Sequence, residues 1–321
     1  MNGHVHTIEL NAKPQQTEDF VPSCVPSLSK KATFSGHETF HCKGLWLKKG
    51  YDFVKEGYSF NDEDAVVKLG VGKNMVSSIR YWLRAFGMIN QNNEISPLAH
   101  FIFDSETGCD PFIEDTQTLW LLHWNLIYTN YATIYKQVFI NFHKERKAFS
   151  KANVFAFLKR KYLDKSFSGI VWNDNTINKD IAMLIRMYVT PDTNIYEDYS
   201  SILLDLNLIK HVEKEMYEFN YATKSKINPL IFFYAVHQIS GGSQVVEFEK
   251  ILELSLVFCL SHNELYDIFN QLTAINSNIT FDNSAGEQLF AVKQDFKEFD
   301  ILNMYYNLAD SAFMKNKNNK V

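Results

Sequence analysis

Four cysteines (Cys24, Cys42, Cys109 and Cys259) are scattered over 321 residues with no C-x-x-C pair, which excludes a disulfide framework and a thiolate zinc knuckle. Apolar runs such as Leu230 to Val236 fall far short of the roughly 18 residues that a membrane helix needs. No membrane span is expected. The N-terminus carries polar Asn2, His4, His6 and Glu9 where a signal peptide would be apolar, and a cytoplasmic address is the expectation. No Walker loop, G-x-S-x-G elbow or dinucleotide fingerprint occurs, which argues against ATP-driven or cofactor chemistry. His4-Val5-His6 has the spacing of a relaxase histidine pair but lacks the surrounding strand and tyrosine helix.

Glycine and proline are scarce beyond Thr33, while three of the seven prolines (Pro14, Pro22 and Pro26) fall in the first 32 residues. Those residues read as an extended arm. With 26 Phe, 16 Tyr and 5 Trp, the remainder is apolar enough to bury a large core. Apolar spacing predicts a mainly α fold with small β-hairpins. Residues 33–135 are expected to form one domain, 136–240 a helical middle domain, and 241–321 a second winged-helix-like domain.

Net charge is -5, but the charges come in blocks. Ala65 to Asn93 holds Lys68, Lys73, Arg80 and Arg84 with no acid, and Phe101 to Thr118 holds Asp104, Glu106, Asp110, Glu114 and Asp115 with no base. From Asn141 to Lys165 eight bases face two acids. In the first block Asn61 caps a predicted helix that begins Asp62-Glu63-Asp64 and stops at Gly70-Val71-Gly72. The next helix places Met75, Ile79, Trp82, Leu83 and Phe86 on one face and Lys73, Ser77, Arg80 and Arg84 on the other. Gly87 ends it, and Asn92-Asn93 marks a hairpin before Ile95. Helix, glycine turn, basic helix and hairpin spell a winged helix-turn-helix. Lys73, Asn74, Ser77, Arg80 and Arg84 would face phosphates and base edges, with the Asn92-Asn93 wing on the backbone. Protein docking is the alternative use of such a unit.

Farther on, Glu114 to Tyr135 reads as one long buried helix in which His123 is a packed core residue. Asp180 to Met187 reads as a helix, Leu208–Val212 and Met216–Asn220 as a hairpin, and Val245–Phe258 and Asn263–Ala274 as helices. Ile279–Phe281 and Leu289–Val292 flank a turn at Asn283 to Gly286.

Two constellations carry candidate chemistry. His37-Glu38-Thr39-Phe40-His41 fits H-E-x-x-H, in which two histidines hold zinc beside a glutamate base. The glycines on either side leave little room for the helix this requires, and no third ligand follows. The alternative is His37 as a proton carrier with Glu38 as a ligand of Mg2+. Asp110-Pro111-Phe112-Ile113-Glu114-Asp115 supplies further hard oxygen ligands, or simply acids at a helix start.

Phe34 to Phe40, Trp46 to Gly50, Ala65 to Val76, Ile79 to Leu83 and Leu119 to Trp124 together resemble the domain-of-unknown-function 4007 family. The agreement is dense over residues 33–128 and thins to positions such as Arg186 and Tyr188. Proteins of that family occur in bacterial DNA phosphorothioation and phage-defence operons. The resemblance implies a Mg2+-dependent nick in one DNA strand, made alongside a cysteine desulfurase, an ATPase and a sulfur-transfer subunit. His37, Glu38, Lys48, Lys49, Lys73, Asn74, Arg80 and the Asp110 to Asp115 segment match the family pattern, whereas His41 is not a required member. The resemblance does not assign the cutting residues; from their chemistry Glu38 and Asp110, then Glu114 and Asp115, are the expected Mg2+ ligands and His37 the proton carrier. Lys48 and Lys49 join the expected DNA contacts. A non-enzymatic DNA-binding adaptor that recruits the sulfur-transfer machinery is the alternative.

Overall fold

Each helix begins where a cap or a glycine turn allows it. The computed structural model describes residues 32–167, 169–190, 201–223, 225–282 and 289–307, and the expected N-terminal arm and the Asn283 to Gly286 turn lie outside them. Helices α1 (Trp46–Lys55), α2 (Ala65–Leu69) and α3 (Lys73–Ala85) pack together. Gly70 closes α2 in the left-handed conformation that a Cβ disfavours (φ 59°), and α3 starts three residues later. The helix expected from Asp62 begins only at Ala65, because Asp62 instead accepts the Ser59 amide at 3.0 Å and closes a turn. Asn61 is not its cap. Val76, Ile79, Trp82 and Leu83 are buried on the inner face of α3, each contributing about 1.5–3 kcal/mol by leaving water. Gly50 lets α1 approach α3 closely: a Cβ there would lie 2.6 Å from Leu83 Cδ1.

The expected wing is smaller than a hairpin. Ile89 and Ile95 form a single bridge around Asn93 (φ 65°), since Asn90 Oδ1 takes the Asn92 and Glu94 amides and Ser96 at once caps α4 (Pro97–Phe103). Helix α5 (Thr116–Tyr128) is buried nearly all round. It stops short of Tyr135 because Asn130 turns left-handed (φ 52°), after which α6 (Thr133–Lys136) runs into a π-turn at Gln137–Phe142.

Strand β1 (Ala148–Ser150) precedes α7 (Lys151–Leu163), whose first turn is closed by a Ser150–Asn153 capping box. Helix α8 (Asp174–Tyr188) starts ahead of the expected Asp180 because Asn173 caps it. A 3-10 turn (Leu204–Leu206) leads to the expected hairpin, β2 (Ile209–Glu213) and β3 (Met216–Phe219), which β1 extends into an antiparallel sheet of order β1-β3-β2. Three residues are too few for β1 to show alternation in sequence.

Helix α9 (Pro229–Ser240) follows, then β4 (Val245–Glu247), α10 (Phe248–Val257), α11 (His262–Ile275), β5 (Ile279–Asp282) and β6 (Leu289–Val292). The second sheet has the order β4-β6-β5. Val245 to Glu247, expected as helix, is strand because β6 supplies a partner for its backbone. Residues 298–307 are helical.

The fold is thus mainly α with two small antiparallel sheets. Buried apolar side chains form one cluster from Cys42 to Tyr306. His123 sits inside it as expected, Nε2–H donating to Val257 O (2.9 Å) and Nδ1 accepting from Tyr188 OH (2.8 Å), and burial lowers its pKa to about 4. Cys42, Cys109 and Cys259 are unpaired, with burial pushing the Cys109 thiol up to about 12. Among the described residues no helix is long and apolar enough to cross a membrane.

Candidate nucleic-acid interface

The motif loop before α1 is built on unusual backbone. Ser35, Gly36, Glu38 and Thr39 all have positive φ (75°, 107°, 47° and 66°), which L side chains seldom adopt. Gly36 is required twice over, since a Cβ at its position would stand 2.7 Å from the Tyr81 ring. Buried Asp180 on α8 holds the loop, accepting Ser35 N–H at 3.0 Å and His37 Nε2 at 2.9 Å. Thr39 N–H donates to His37 Nδ1 (3.1 Å), so Nε2 bears the proton given to Asp180. Ser78 Oγ and Trp82 Nε1 of α3 then donate to the carbonyls of His37 and Phe40 (3.0 and 2.9 Å). His37 is 5% exposed with both ring nitrogens engaged, so in this arrangement it pins the loop to α3 and α8, whereas Glu38 faces solvent.

The basic face of α3 borders a groove of about 670 Å3 lined by Lys73, Ser77, Arg80, Arg84 and Asn61, with Asp62 and Glu63 also on its wall. Arg80 Nε and Arg84 Nη2 both donate to Asn93 Oδ1 (3.0 and 2.9 Å), and Arg80 Nη1 donates to Asn61 Oδ1 (3.1 Å). Two guanidiniums thus share a neutral acceptor. Partial burial, with the nearby Arg84 charge, holds Arg80 below its ordinary pKa. Asn74 and Asn92 are exposed on the same unit. Asn93 ties the small wing to α3.

Lys48 and Lys49 have other engagements. Lys48 is 7% exposed and paired with Asp52 at 2.5 Å, while Lys49 Nζ donates to Leu69 O (3.0 Å) at the end of α2, where a cation suits the helix dipole.

The acidic segment gathers at the start of α5. Asp110 is buried and accepts Glu114 N–H (2.8 Å), Asp115 N–H (3.1 Å) and Thr118 Oγ1 (2.6 Å). Tyr306 OH donates in turn to Thr118 Oγ1 (2.8 Å). Asp115 caps the helix through Gln117 N–H (2.8 Å) and accepts Tyr305 OH (2.7 Å). Glu114 is exposed. Among the described residues no three His, Cys, Asp or Glu side chains converge as a metal site. Glu38 lies on the motif loop and the other three expected ligands at the α5 cap, so this arrangement does not fit one Mg2+ ion held by all four. His41 likewise gains no zinc partner set with His37, whose nitrogens are engaged.

The family model for proteins of unknown function (DUF4007) matches residues 34–306. The chain belongs to this family. Two solved structures share its fold. The magnesium ion-bound SspB crystal structure has a TM-score of 0.75 at 22% identity, covering 89% of this chain and 90% of that one. The SspB crystal structure has a TM-score of 0.74 at 24% identity, covering 88% and 90%. No curated protein matches the sequence.

Within this DUF4007 chain, two features escaped the sequence reading. Asp180, the partner of His37, lies 143 positions away and no local pattern links the two. A second pocket, beside the motif loop, gathers Lys43, Lys151, Arg186 and Lys214 from separate elements. Arg186 stood out only through the family resemblance.

Proposed function

We propose that the protein is a DNA-binding component of a bacterial DNA phosphorothioate modification and phage-defence system, and that it grips duplex DNA through the exposed face of α3. The observation that carries this reading is the pair Arg80 and Arg84, which share the amide oxygen of Asn93 instead of a carboxylate, beside Lys73 and Ser77 on one groove. Charges left unneutralised on a surface of this kind suit a phosphate backbone. Mg2+-dependent nicking of one strand enters the proposal through the family resemblance and the likeness to a magnesium ion-bound SspB. A second reading, an adaptor that binds DNA and recruits sulfur-transfer and ATPase subunits without cutting, is favoured by the capping bonds of Asp110 and Asp115.

A supercoiled-plasmid assay separates them. Purified protein is incubated with Mg2+ or EDTA, using wild type, Glu38→Ala and Arg80→Glu. Open circle that requires Mg2+ and fails in Glu38→Ala supports the nickase. Retarded plasmid with no nick under any divalent ion, and release in Arg80→Glu, supports the adaptor. Wild-type protein that neither retards nor nicks the plasmid overturns both.

A further inference from the structure

A second cavity, of about 470 Å3, opens between the motif loop, α7, α8 and the β2–β3 hairpin. Four separate segments converge on it. Phe40, His41 and Lys43 follow the strained loop, Lys151 is the first residue of α7, Arg186 lies on α8, and His211, Lys214 and Tyr217 come from the hairpin. None of its described lining residues is Asp or Glu.

Among the described residues the cavity thus gathers cations without an acid. Several cations elsewhere are paired with acids, as in Lys55–Asp104, Lys144–Glu253, Arg160–Glu145 and Lys226–Glu264. Among the described residues Lys151, Arg186 and Lys214 form no ion pair, and all three are exposed at the cavity. Grouped like charges repel one another, and an anion seated among them removes that cost. The first turn of α7 adds its positive dipole end beside Lys151.

The walls are held in place. Asp180 fixes the motif loop from one turn and a half up α8, Ile202 N–H donates to Cys42 O (3.0 Å), and His211 Nε2 bonds Lys214 O (2.5 Å) across the hairpin turn. His211 and Tyr217 lie ring to ring at 5.4 Å. Cations and aromatic rings lining one recess are the ingredients by which proteins hold unpaired nucleotides, phosphate on the charge and base on a π-face, and here half-buried Phe40 and the edge of buried Tyr217 line it with the three cations. The cavity also lies in the range of roughly 300–1,000 Å3 typical of small-ligand sites. A paired duplex keeps its bases stacked inside and cannot enter such a recess, but an unstacked nucleotide can.

We propose that this pocket seats one unpaired nucleotide of a DNA strand, with Lys151, Arg186 and Lys214 on its phosphates and Phe40 and Tyr217 beside its base. The assignment rests on the DNA-binding reading above and adds to it a grip on single strand, separate from the duplex grip of α3.

Fluorescence anisotropy tests it with labelled single-stranded and duplex DNA over a salt series, on the full chain. The variants are wild type, Arg186→Glu with Lys214→Glu, and Arg80→Glu. The pocket variant should weaken single-strand binding roughly tenfold or more and lower the slope of log K against log salt by about 1.4, while duplex binding stays within about threefold. Arg80→Glu should weaken duplex binding and lower its slope by about 0.9, while single-strand binding stays within about threefold. Circular dichroism confirms folding, and Arg186→Gln alone carries the test if the double variant does not fold. Single-strand affinity and slope unchanged in the pocket variant, with duplex binding lost in Arg80→Glu, overturn the pocket and leave the DNA-binding reading standing. Wild type that binds neither DNA overturns both. A melting temperature raised by inorganic phosphate in wild type and not in the pocket variant, with equal DNA binding by the two, assigns the pocket to free phosphate and overturns the nucleotide.

Discussion

Replacing Asp180 by alanine should cost about 3–5 kcal/mol of folding stability, and the loss should begin in the motif loop. The buried carboxylate accepts His37 Nε2–H at 2.9 Å and Ser35 N–H at 3.0 Å. A hydrogen bond to a charged group contributes roughly 1.5–3 kcal/mol, and two are lost together, with some recovery as water enters. The loop resists independently, because Ser35, Glu38 and Thr39 hold positive φ and each such non-glycine residue costs on the order of 1 kcal/mol or more. Without its anchor the loop relaxes toward ordinary backbone. Urea denaturation of wild type, Asp180→Ala and Asp180→Asn measures the cost, and amide exchange at Ser35 and Thr39 locates it. Asparagine keeps one acceptor oxygen and should lose about half as much. A loss below about 1 kcal/mol in Asp180→Ala, or a Ser35 amide that exchanges no faster, would refute the idea that this carboxylate holds the loop.

Acidification should destabilise the fold through His123 and His143, whose pKa values burial lowers from 6.5 to about 4. Because the folded values are depressed, the unfolded chain takes up protons first, so stability is full above pH 6.5 and falls as pH drops toward 4. The loss is about 1.4 kcal/mol per pH unit for each histidine, and urea unfolding at pH 7 and pH 5 should differ by about 4 kcal/mol; equal stabilities would contradict it. For duplex binding, Arg80→Ala with Arg84→Ala should lower the salt slope by about 1.8, read by anisotropy, and an unchanged slope would remove these residues from the interface. Asp110→Ala should cost about 2 kcal/mol or more, because its buried carboxylate holds the Glu114 and Asp115 amides and Thr118 Oγ1 ahead of α5, and if that structural part is its whole role any effect of Mg2+ on the melting temperature should be the same in wild type and variant. A Mg2+-dependent rise that the variant abolishes would instead make Asp110 a ligand.

Much of the local architecture was legible in sequence because it is set by neighbours. The glycine turn before α3, the division of α3 into apolar and basic faces, the β2–β3 hairpin and the packed state of His123 all follow from spacing of a few residues. Failures came where side chains chose between two local partners. Asp62 closed a turn onto Ser59 instead of opening a helix, and Asn90 collected the amides that a hairpin ladder would have used. Lys48 and Lys49, expected at DNA from their charge, have contacts with Asp52 and with the end of α2 that spacing did not announce.

By itself the sequence determined the mainly helical class, the basic helix and the density of acids ahead of α5, since periodicity and charge are properties of short windows. Only the tertiary structure decided which groups those residues meet. It turned the acidic segment into a helix cap, gave His37 its partner on α8, and drew Lys43, Lys151, Arg186 and Lys214 into one cavity. Hydrogen bonds and electrostatic fields act through space over a few ångströms, and chain folding, not chain order, sets which groups come that close.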